Sequence, residues 1–356
     1  MRHAVIMAGG AGVRLWPLSR RNHPKQLLRL FSGASLLRQS YERVAAMLPP
    51  EQINVITNQT HLPMVAEEIP ELPAGNLLGE PIGRDTANAI GLAAALLHRR
   101  DPGGTMAVFT ADHLISPQDK FAAAIEAGLC AAERYSSALI TFGVTPDGPK
   151  TGYGYIHKGE QLSGGAYEVL EFKEKPSLEV AERYIASGEY LWNSGMFAWG
   201  IAAIRAELFR QLPNNAALLD RLAVKWNDAS SSQERQKQFE SLERISIDFG
   251  VMEKAERVLM VEMPCRWRDL GSWTAIAESR EPDAKGNVVI AERALVEDGR
   301  GNIVVSETDH LIVALGVDDL VIVHSDDATL ICRRDQVERV RDLASARIEL
   351  FGDRFE

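Results

Sequence analysis

The chain has 356 residues, 46% hydrophobic and 25% charged, with a formal net charge of -10. That length accommodates two domains, or one large domain with an appendage, and a full core without covalent staples. The acidic balance argues against wholesale nucleic-acid binding. No apolar stretch reads as a secretory signal or a bilayer span, and three distant cysteines (Cys130, Cys265, Cys332) fit neither a disulfide framework nor a zinc site, so a reduced cytoplasm is the expected location.

In chain order, Arg2–Met7 reads as a buried strand, followed by strands at Ile53–Thr57, Thr105–Thr110 and Leu139–Gly143. Thr86–Arg100 and Pro117–Arg134 read as helices, the second with Ser116 as cap and Pro117 in the first helical position. Strands alternating with helices predict an α/β fold, a Rossmann-like, mostly parallel mixed sheet flanked by helices. Tyr167–Lys175 reads as a strand, Ser177 to Gly188 as a capped helix, and 201–260 as mainly helical with a polar surface stretch at 228–238.

The pattern changes near Pro282, predicting a domain at 1–282 and a small C-terminal β-rich domain at 283–356. Short β runs occupy Asn287–Ala291, Asn302–Ser306, Leu311–Leu315, Leu320–His324 and Thr329–Cys332, with Gly-Asn at 286–287 and 301–302. A few β-helix coils would fit. A last helix is predicted from Asp335, with Glu338 completing a capping box.

The first 41 residues hold seven basic side chains (Arg2, Arg14, Arg20, Arg21, Lys25, Arg29, Arg38) and no Asp or Glu. In an acidic chain, such a segment points to a local site for a small polyanion. It contains Ala8-Gly9-Gly10-Ala11-Gly12-Val13-Arg14-Leu15 directly after the first strand, where glycines let backbone N–H groups approach phosphate oxygens. The loop lacks the Gly-Lys-Ser/Thr end of a Walker A motif. A dinucleotide fingerprint is disfavoured by Leu15 in place of a third glycine and by the absence of an acidic residue before Glu42. A bland turn accounts for the glycines but not for Arg14 and Lys25.

Gly9 to Leu28, GGAGVRLWPLSRRNHPKQLL, resembles the opening signature of the sugar nucleotide pyrophosphorylases. Its Leu-Trp-Pro-Leu-Ser-Arg and Pro-Lys-Gln parts are similar to the mannose-1-phosphate guanylyltransferase branch. Further matches run in family order: Glu80-Pro-Ile-Gly-Arg84-Asp-Thr-Ala, Ala111-Asp112-His113, Thr151 to Ile156, Glu174-Lys175-Pro176, Trp192-Asn193-Ser-Gly-Met-Phe197, Ser246 to Lys254 and Trp267-Arg-Asp269-Leu-Gly-Ser-Trp273. The family usually has Asn where this chain has Asp85, and often Pro where it has Asn88.

The resemblance implies the nucleotide-diphospho-sugar transferase fold and the transfer of GMP from GTP to mannose 1-phosphate, giving GDP-mannose and pyrophosphate. It implies nucleotide binding by Ala8, Gly9, Gly10, Gly12, Arg14, Lys25, Glu80, Arg84 and Asp112. Sugar-phosphate binding falls to Gly154, Glu174, Lys175, Asn193 and Asp248. Mg²⁺ is expected on Asp112 and Asp269, bridging the α-phosphate and the nucleophile, with Arg14, Lys25 and Lys175 as the catalytic cations. The sugar phosphate is already a dianionic nucleophile, so no general base is required, and His23, His113 and His157 receive no proton-transfer role. A homodimer without nucleic-acid or membrane partners is expected, and the chain ends too early for the cupin-like isomerase domain of many bacterial relatives. A pyrophosphorylase for another sugar or nucleotide, a non-catalytic sugar-nucleotide-binding subunit and a dinucleotide oxidoreductase are the alternatives.

Overall fold

A computed structural model describes every residue except Ala11, Ser32, Asn227, Ala229, Ser230, Ser231, Glu356 and the side chain of Ser345. Ala11 of the glycine loop and positions 229–231 of the polar stretch thus lie outside the described residues. The chain forms two compact units, neither continuous in sequence: Met1–Gly9, Tyr41–Thr110 and Ile115–Trp267 in the first, and Gly10–Ser40, Ala111–Leu114 and Arg268–Glu356 in the second.

The strands are β1 (Arg2–Met7), β2 (Ile53–Asn58), β3 (Leu77–Glu80), β4 (Thr105–Thr110), β5 (His113–Ser116), β6 (Leu139–Val144), β7 (Tyr155–Gln161), β8 (Ala166–Lys173), β9 (Tyr190–Gly200), β10 (Val258–Glu262) and β11 (Arg266–Asp269). Nine of them make the sheet of the first unit, in the order β3-β2-β1-β4-β9-β6-β10-β8-β7, while β5 and β11 form a two-stranded ladder. β1 to β4 run parallel, as does β6 beside β10. β9 enters antiparallel between β4 and β6, and β7 and β8 close the edge antiparallel.

The parallel strands are apolar along their length because helices cover such sheets on both faces; Ala4, Val5 and Ile6 are fully buried. One core joins Ile90, Leu97, Phe197, Trp199, Leu208 and Leu219. Burying each such side chain stabilises by about 1.5–3 kcal/mol. The helix Leu178–Ser187 has the expected ends, with the Ser177 hydroxyl accepting from Val180 N–H at 3.4 Å and Gly188 left-handed. The helix Gln118–Arg134 starts one residue later than expected: β5 claims Ser116, and Pro117 stands extended in the cap position with no side-chain cap.

In the second unit, β12 (Val288–Ile290), β14 (Ile303–Ser306) and β16 (Leu320–His324) stack in parallel, and β17 (Thr329–Arg333) pairs antiparallel with β16. β13 (Ala294–Glu297) and β15 (Ile312–Leu315) pair in parallel as a second face. These are the coils of a β-helix. The Gly-Asn repeat marks the corner of two successive coils: the Asn287 side-chain oxygen accepts from Asn302 N–H at 3.0 Å, and the Asn302 oxygen accepts from Leu320 N–H at 3.0 Å. Both asparagines are buried with their amides satisfied along the stack.

The β-helix shares a core with the basic N-terminal segment. Leu15, Leu18, Leu28 and Leu30 pack in one cluster with Ile303, Val305, Val321, Val323 and Leu330. Trp16 Nε1 donates to Phe355 O at 2.9 Å, Arg347 lies over the Trp16 ring at 4.3 Å, and Arg20 pairs with Asp327. The predicted capping box is corrected: Arg334–Asp342 is a 3-10 run without a side-chain cap. Asp335 pairs with Arg333 at 2.8 Å and Glu338 with Arg14 at 3.3 Å, so arginines claim both carboxylates. Among the described residues, no helix is long and apolar enough to cross a membrane.

Candidate active site

The glycine loop leaves β1 under restraint: Ala8 N–H donates to Ile56 O at 2.8 Å and the Thr57 hydroxyl donates to Ala8 O at 2.9 Å. In the second unit Gly12 is left-handed, with φ of 57°, and caps the 3-10 turn Val13–Leu15 that carries Arg14. A Cβ at Gly12 would run into the Ser19 hydroxyl and stand 2.8 Å from Lys25 Cβ, so the close approach of Lys25 to the loop requires glycine there.

Lys25 opens the 3-10 turn Lys25–Leu27, and its ammonium contacts Asp112 Oδ2. Burial alone would lower the Lys25 pKa, but Asp112 and Asp269 outweigh it and the value is raised. Burial would likewise raise the Asp112 carboxyl, but Lys25 and then His113 hold it below the usual range. Asp112 precedes β5 and Asp269 ends β11, and Leu270 N–H donates to Asp112 O at 3.4 Å. Ligand atoms of Asp112, His113 and Asp269 all lie within 4.8 Å of one another. Two carboxylates and an imidazole, only partly neutralised by one lysine, are a donor set suited to a divalent cation. Arg14 is half-exposed and held by Glu338.

The first unit holds two further groups. Glu80, at the end of β3, is buried, and burial followed by the charge of Asp85 pushes its pKa up to about 8. Its Oε2 lies 3.8 Å from where a Cβ on Gly9 would stand, and its Oε1 has no hydrogen-bond partner among the described residues. Arg84 donates to Glu240 O. The two departures from the family pattern have local partners: Asp85 sits at φ of 63° and pairs with Arg244 at 3.2 Å, while the Asn88 amide donates to Arg84 O at 2.6 Å and Glu243 O at 2.8 Å.

The other group surrounds Asn193 on β9. Its side-chain oxygen accepts from the Thr141 hydroxyl at 2.9 Å and from Gly195 N–H at 3.2 Å, which leaves its Nδ2 to donate to Asp248 Oδ1 at 2.9 Å. Burial, and then the nearby Glu174, push the Asp248 pKa up to about 7, against the hydrogen bond from Asn193. A Cβ at Gly154 would collide with Glu174 Oε2 and approach Asn193 Cβ at 3.3 Å. Lys175 Nζ lies 2.9 Å from Glu174 Oε1, on a backbone with φ of 47° that non-glycine residues rarely adopt. Tyr153 packs its ring 5.0 Å from Trp192 and 4.9 Å from Trp267.

Within the units the structure thus gathers Lys25 with Asp112 and Asp269, and Gly154, Glu174 and Lys175 with Asn193 and Asp248. Gly9 lies beside Glu80, and Gly10, with φ of 111°, beside the Gln26 amide. His113, Thr141 and Glu338 were not singled out from sequence as site residues; nothing local in the chain signals that Thr141 orients Asn193 or that Glu338 holds Arg14.

The fold is that of a nucleotidyltransferase: residues 3–286 match the family model of the nucleotidyl transferases, and residues 286–345 match that of the MannoseP isomerase/GMP-like beta-helix domain. Within that class the chain belongs to the mannose-1-phosphate guanylyltransferase family. It is 39% identical over 352 residues to the mannose-1-phosphate guanylyltransferase of Klebsiella pneumoniae, covering 95% of this chain and 72% of that protein. It is 37% identical over 348 residues to that of Escherichia coli K12, with the same coverage of 95% and 72%. A crystal structure of mannose-1-phosphate geranyltransferase from Thermus thermophilus is similar with a TM-score of 0.86 and 36% identity, over 98% of this chain and 99% of that one.

Proposed function

We infer that the protein transfers GMP from GTP to mannose 1-phosphate, forming GDP-mannose and pyrophosphate. The observation that carries this reading is the identity of 39% and 37%, spread over 95% of the chain, to proteins named for that activity. The three side-chain groups support it, one ionic and two built around buried carboxyls.

A phosphate oxygen of mannose 1-phosphate attacks the α-phosphorus of GTP; the new P–O bond forms as the bond to the β-phosphate bridging oxygen breaks, and pyrophosphate leaves with that electron pair. Two anions must meet in line, so positioning and charge neutralisation supply the catalysis rather than proton transfer. Lys175 would hold the attacking phosphate. Arg14 and Lys25 would hold the leaving pyrophosphate, where charge develops. Asp112 and Asp269 would hold Mg²⁺, which when bound supplies charge neutralisation at phosphate oxygens. Gly154, Glu174, Asn193 and Asp248 would read sugar hydroxyls. Ala8, Gly9, Gly10 and Gly12 would line the nucleotide, with Glu80 and Arg84 toward the base.

Pyrophosphate release across a matrix of four NTPs and several hexose 1-phosphates tests the reading. GTP with mannose 1-phosphate should give the highest kcat/KM; a higher value for UTP with glucose 1-phosphate would replace the substrate assignment, and no turnover of any pair would favour a binding subunit. We read the protein as a cytoplasmic homodimer. Free thiols on Cys130, Cys265 and Cys332 support the compartment. The outward row of Leu295, Val313 and Leu315 on β13 and β15, each more than half exposed, supports self-association. Light scattering should give about twice the 39.2 kDa chain mass.

A further inference from the structure

We propose that His113 Nε2 is a third protein ligand of the divalent cation assigned to Asp112 and Asp269, and that it tilts the site toward metals that accept nitrogen. The inference rests on that metal-site reading and adds to it a residue to which the reaction gives no other task.

The geometry is specific about which atoms face one another. His113 Nε2 lies 3.8 Å from Asp112 Oδ1 and 4.0 Å from Asp269 Oδ1. Lys25 is engaged on the other oxygen of Asp112, Oδ2. A cation against the two Oδ1 atoms and Nε2 therefore need not displace the lysine. Ligand atoms within 4.8 Å of one another can share an ion at metal–ligand distances of about 2.0–2.2 Å with only small side-chain rotations. The imidazole is also well fixed, being 7% exposed at the first position of β5.

The donor chemistry sets the consequence. Mg²⁺ prefers oxygen and keeps its waters, whereas imidazole suits the later first-row ions and strengthens binding along the series from Mn²⁺ to Co²⁺ and beyond. A site of two carboxylates alone would discriminate little in favour of those ions. With His113 it should bind Mn²⁺ and Co²⁺ more tightly relative to Mg²⁺ than the same site without the nitrogen.

Pulsed EPR of the full-length protein loaded with Mn²⁺ alone tests this directly. The wild type should show modulation from a directly bound ¹⁴N, replaced by a ¹⁵N pattern when the protein is grown with ¹⁵N-histidine. His113→Asn should lose the coupling and bind Mn²⁺ about tenfold more weakly, while Mg²⁺ affinity, read by competition against Mn²⁺, falls no more than about threefold. Bound Mn²⁺ without nitrogen coupling in the wild type overturns the role of His113 and leaves the aspartate site standing; this measurement does not depend on the variant folding. Mn²⁺ binding that is absent, or indifferent to Asp112→Asn and Asp269→Asn, overturns the metal-site reading itself.

Discussion

The candidate site residues of the two units use opposite electrostatics. Around Asn193 and Glu80 in the first unit, burial raises carboxyl pKa values, to about 7 at Asp248 and about 8 at Glu80. Around Lys25 in the second unit, burial is outweighed by a counter-ion, so Asp112 is lowered and Lys25 raised. The first environment suits hydrogen-bond exchange with neutral groups such as hydroxyls and base edges, because a carboxyl near its pKa can donate as well as accept. The second suits ions, because its charges are already formed, with Lys25 on Asp112. The supports differ as well. Asn193 and Glu80 stand on strands of the large sheet, whereas Arg14 and Lys25 stand on short 3-10 turns held through Leu15 and the flanking Leu28, which cluster with β-helix strands.

That contrast can be broken most severely by removing the anchor. A chain ending at Pro282 loses Ile303, Val305, Val321, Val323 and Leu330 from the core shared with Leu15, Leu18 and Leu28. Pyrophosphate release should vanish while most of the far-UV circular dichroism of the sheet persists; full activity of the shortened chain would show that the β-helix does not hold the loop. Next in size, Asp269→Asn should lower kcat by three orders of magnitude or more (roughly 4 kcal/mol) with an unchanged melting temperature, and EDTA should abolish wild-type activity until Mg²⁺ is restored. Near-normal turnover of the variant would take Asp269 out of the ionic group.

The division of labour predicts opposite changes at the two lysines. Lys175→Ala should raise KM for mannose 1-phosphate about 10–100-fold and that for GTP far less, and Lys25→Ala the reverse, each replacing a charge-assisted contact worth about 1.5–3 kcal/mol. Initial-rate kinetics in both substrates decides it, and a GTP effect alone for both variants would misplace Lys175.

The raised carboxyls set a sign for pH. Glu80 binds its proton more tightly folded than unfolded, with a pKa of about 8 against 4.5, so its contribution to stability is full below about 4.5 and is lost as pH rises through about 8. Glu80→Gln should therefore gain stability relative to wild type between pH 5 and 9, on the order of 4 kcal/mol, read by chemical denaturation at each pH. A constant difference would mean that Glu80 is ionised in the folded protein. The smallest effect belongs to Glu338→Ala. Both partners of this pair are half-exposed or more, so stability should change by less than about 1 kcal/mol, while release of Arg14 should lower KM for GTP by about twofold or less. A rise in KM would mean that Glu338 orients Arg14 productively.

Much of this was legible in the chain. β1, β4, β16 and the helix Thr86–Arg100 end where the apolar runs and flanking residues put them, because burial on both faces and local turn chemistry are written in consecutive residues. β9 was noticed only through its Trp192 to Phe197 motif; that it runs antiparallel in the middle of the sheet depends on partners far along the chain. The Leu-Trp-Pro-Leu-Ser-Arg signature was legible as a family mark but not as a contact. Leu15, Leu18, Trp16 and Arg20 all engage the C-terminal region, for reasons of packing that no local pattern encodes. The cap expected of Asp335 and Glu338 failed for the same reason, since each carboxylate found an arginine.

The second unit is assembled from three pieces, Gly10–Ser40, Ala111–Leu114 and Arg268–Glu356. This carries a consequence for timing on the ribosome. The segment with Arg14 and Lys25 emerges long before the strands that complete its core. Contacts of such long sequence separation form slowly and only after the intervening chain is available. The nascent chain should therefore expose Leu15, Leu18 and Leu28 until Ile303, Val321 and Leu330 have been made, and only then fix the turns that carry Arg14 and Lys25.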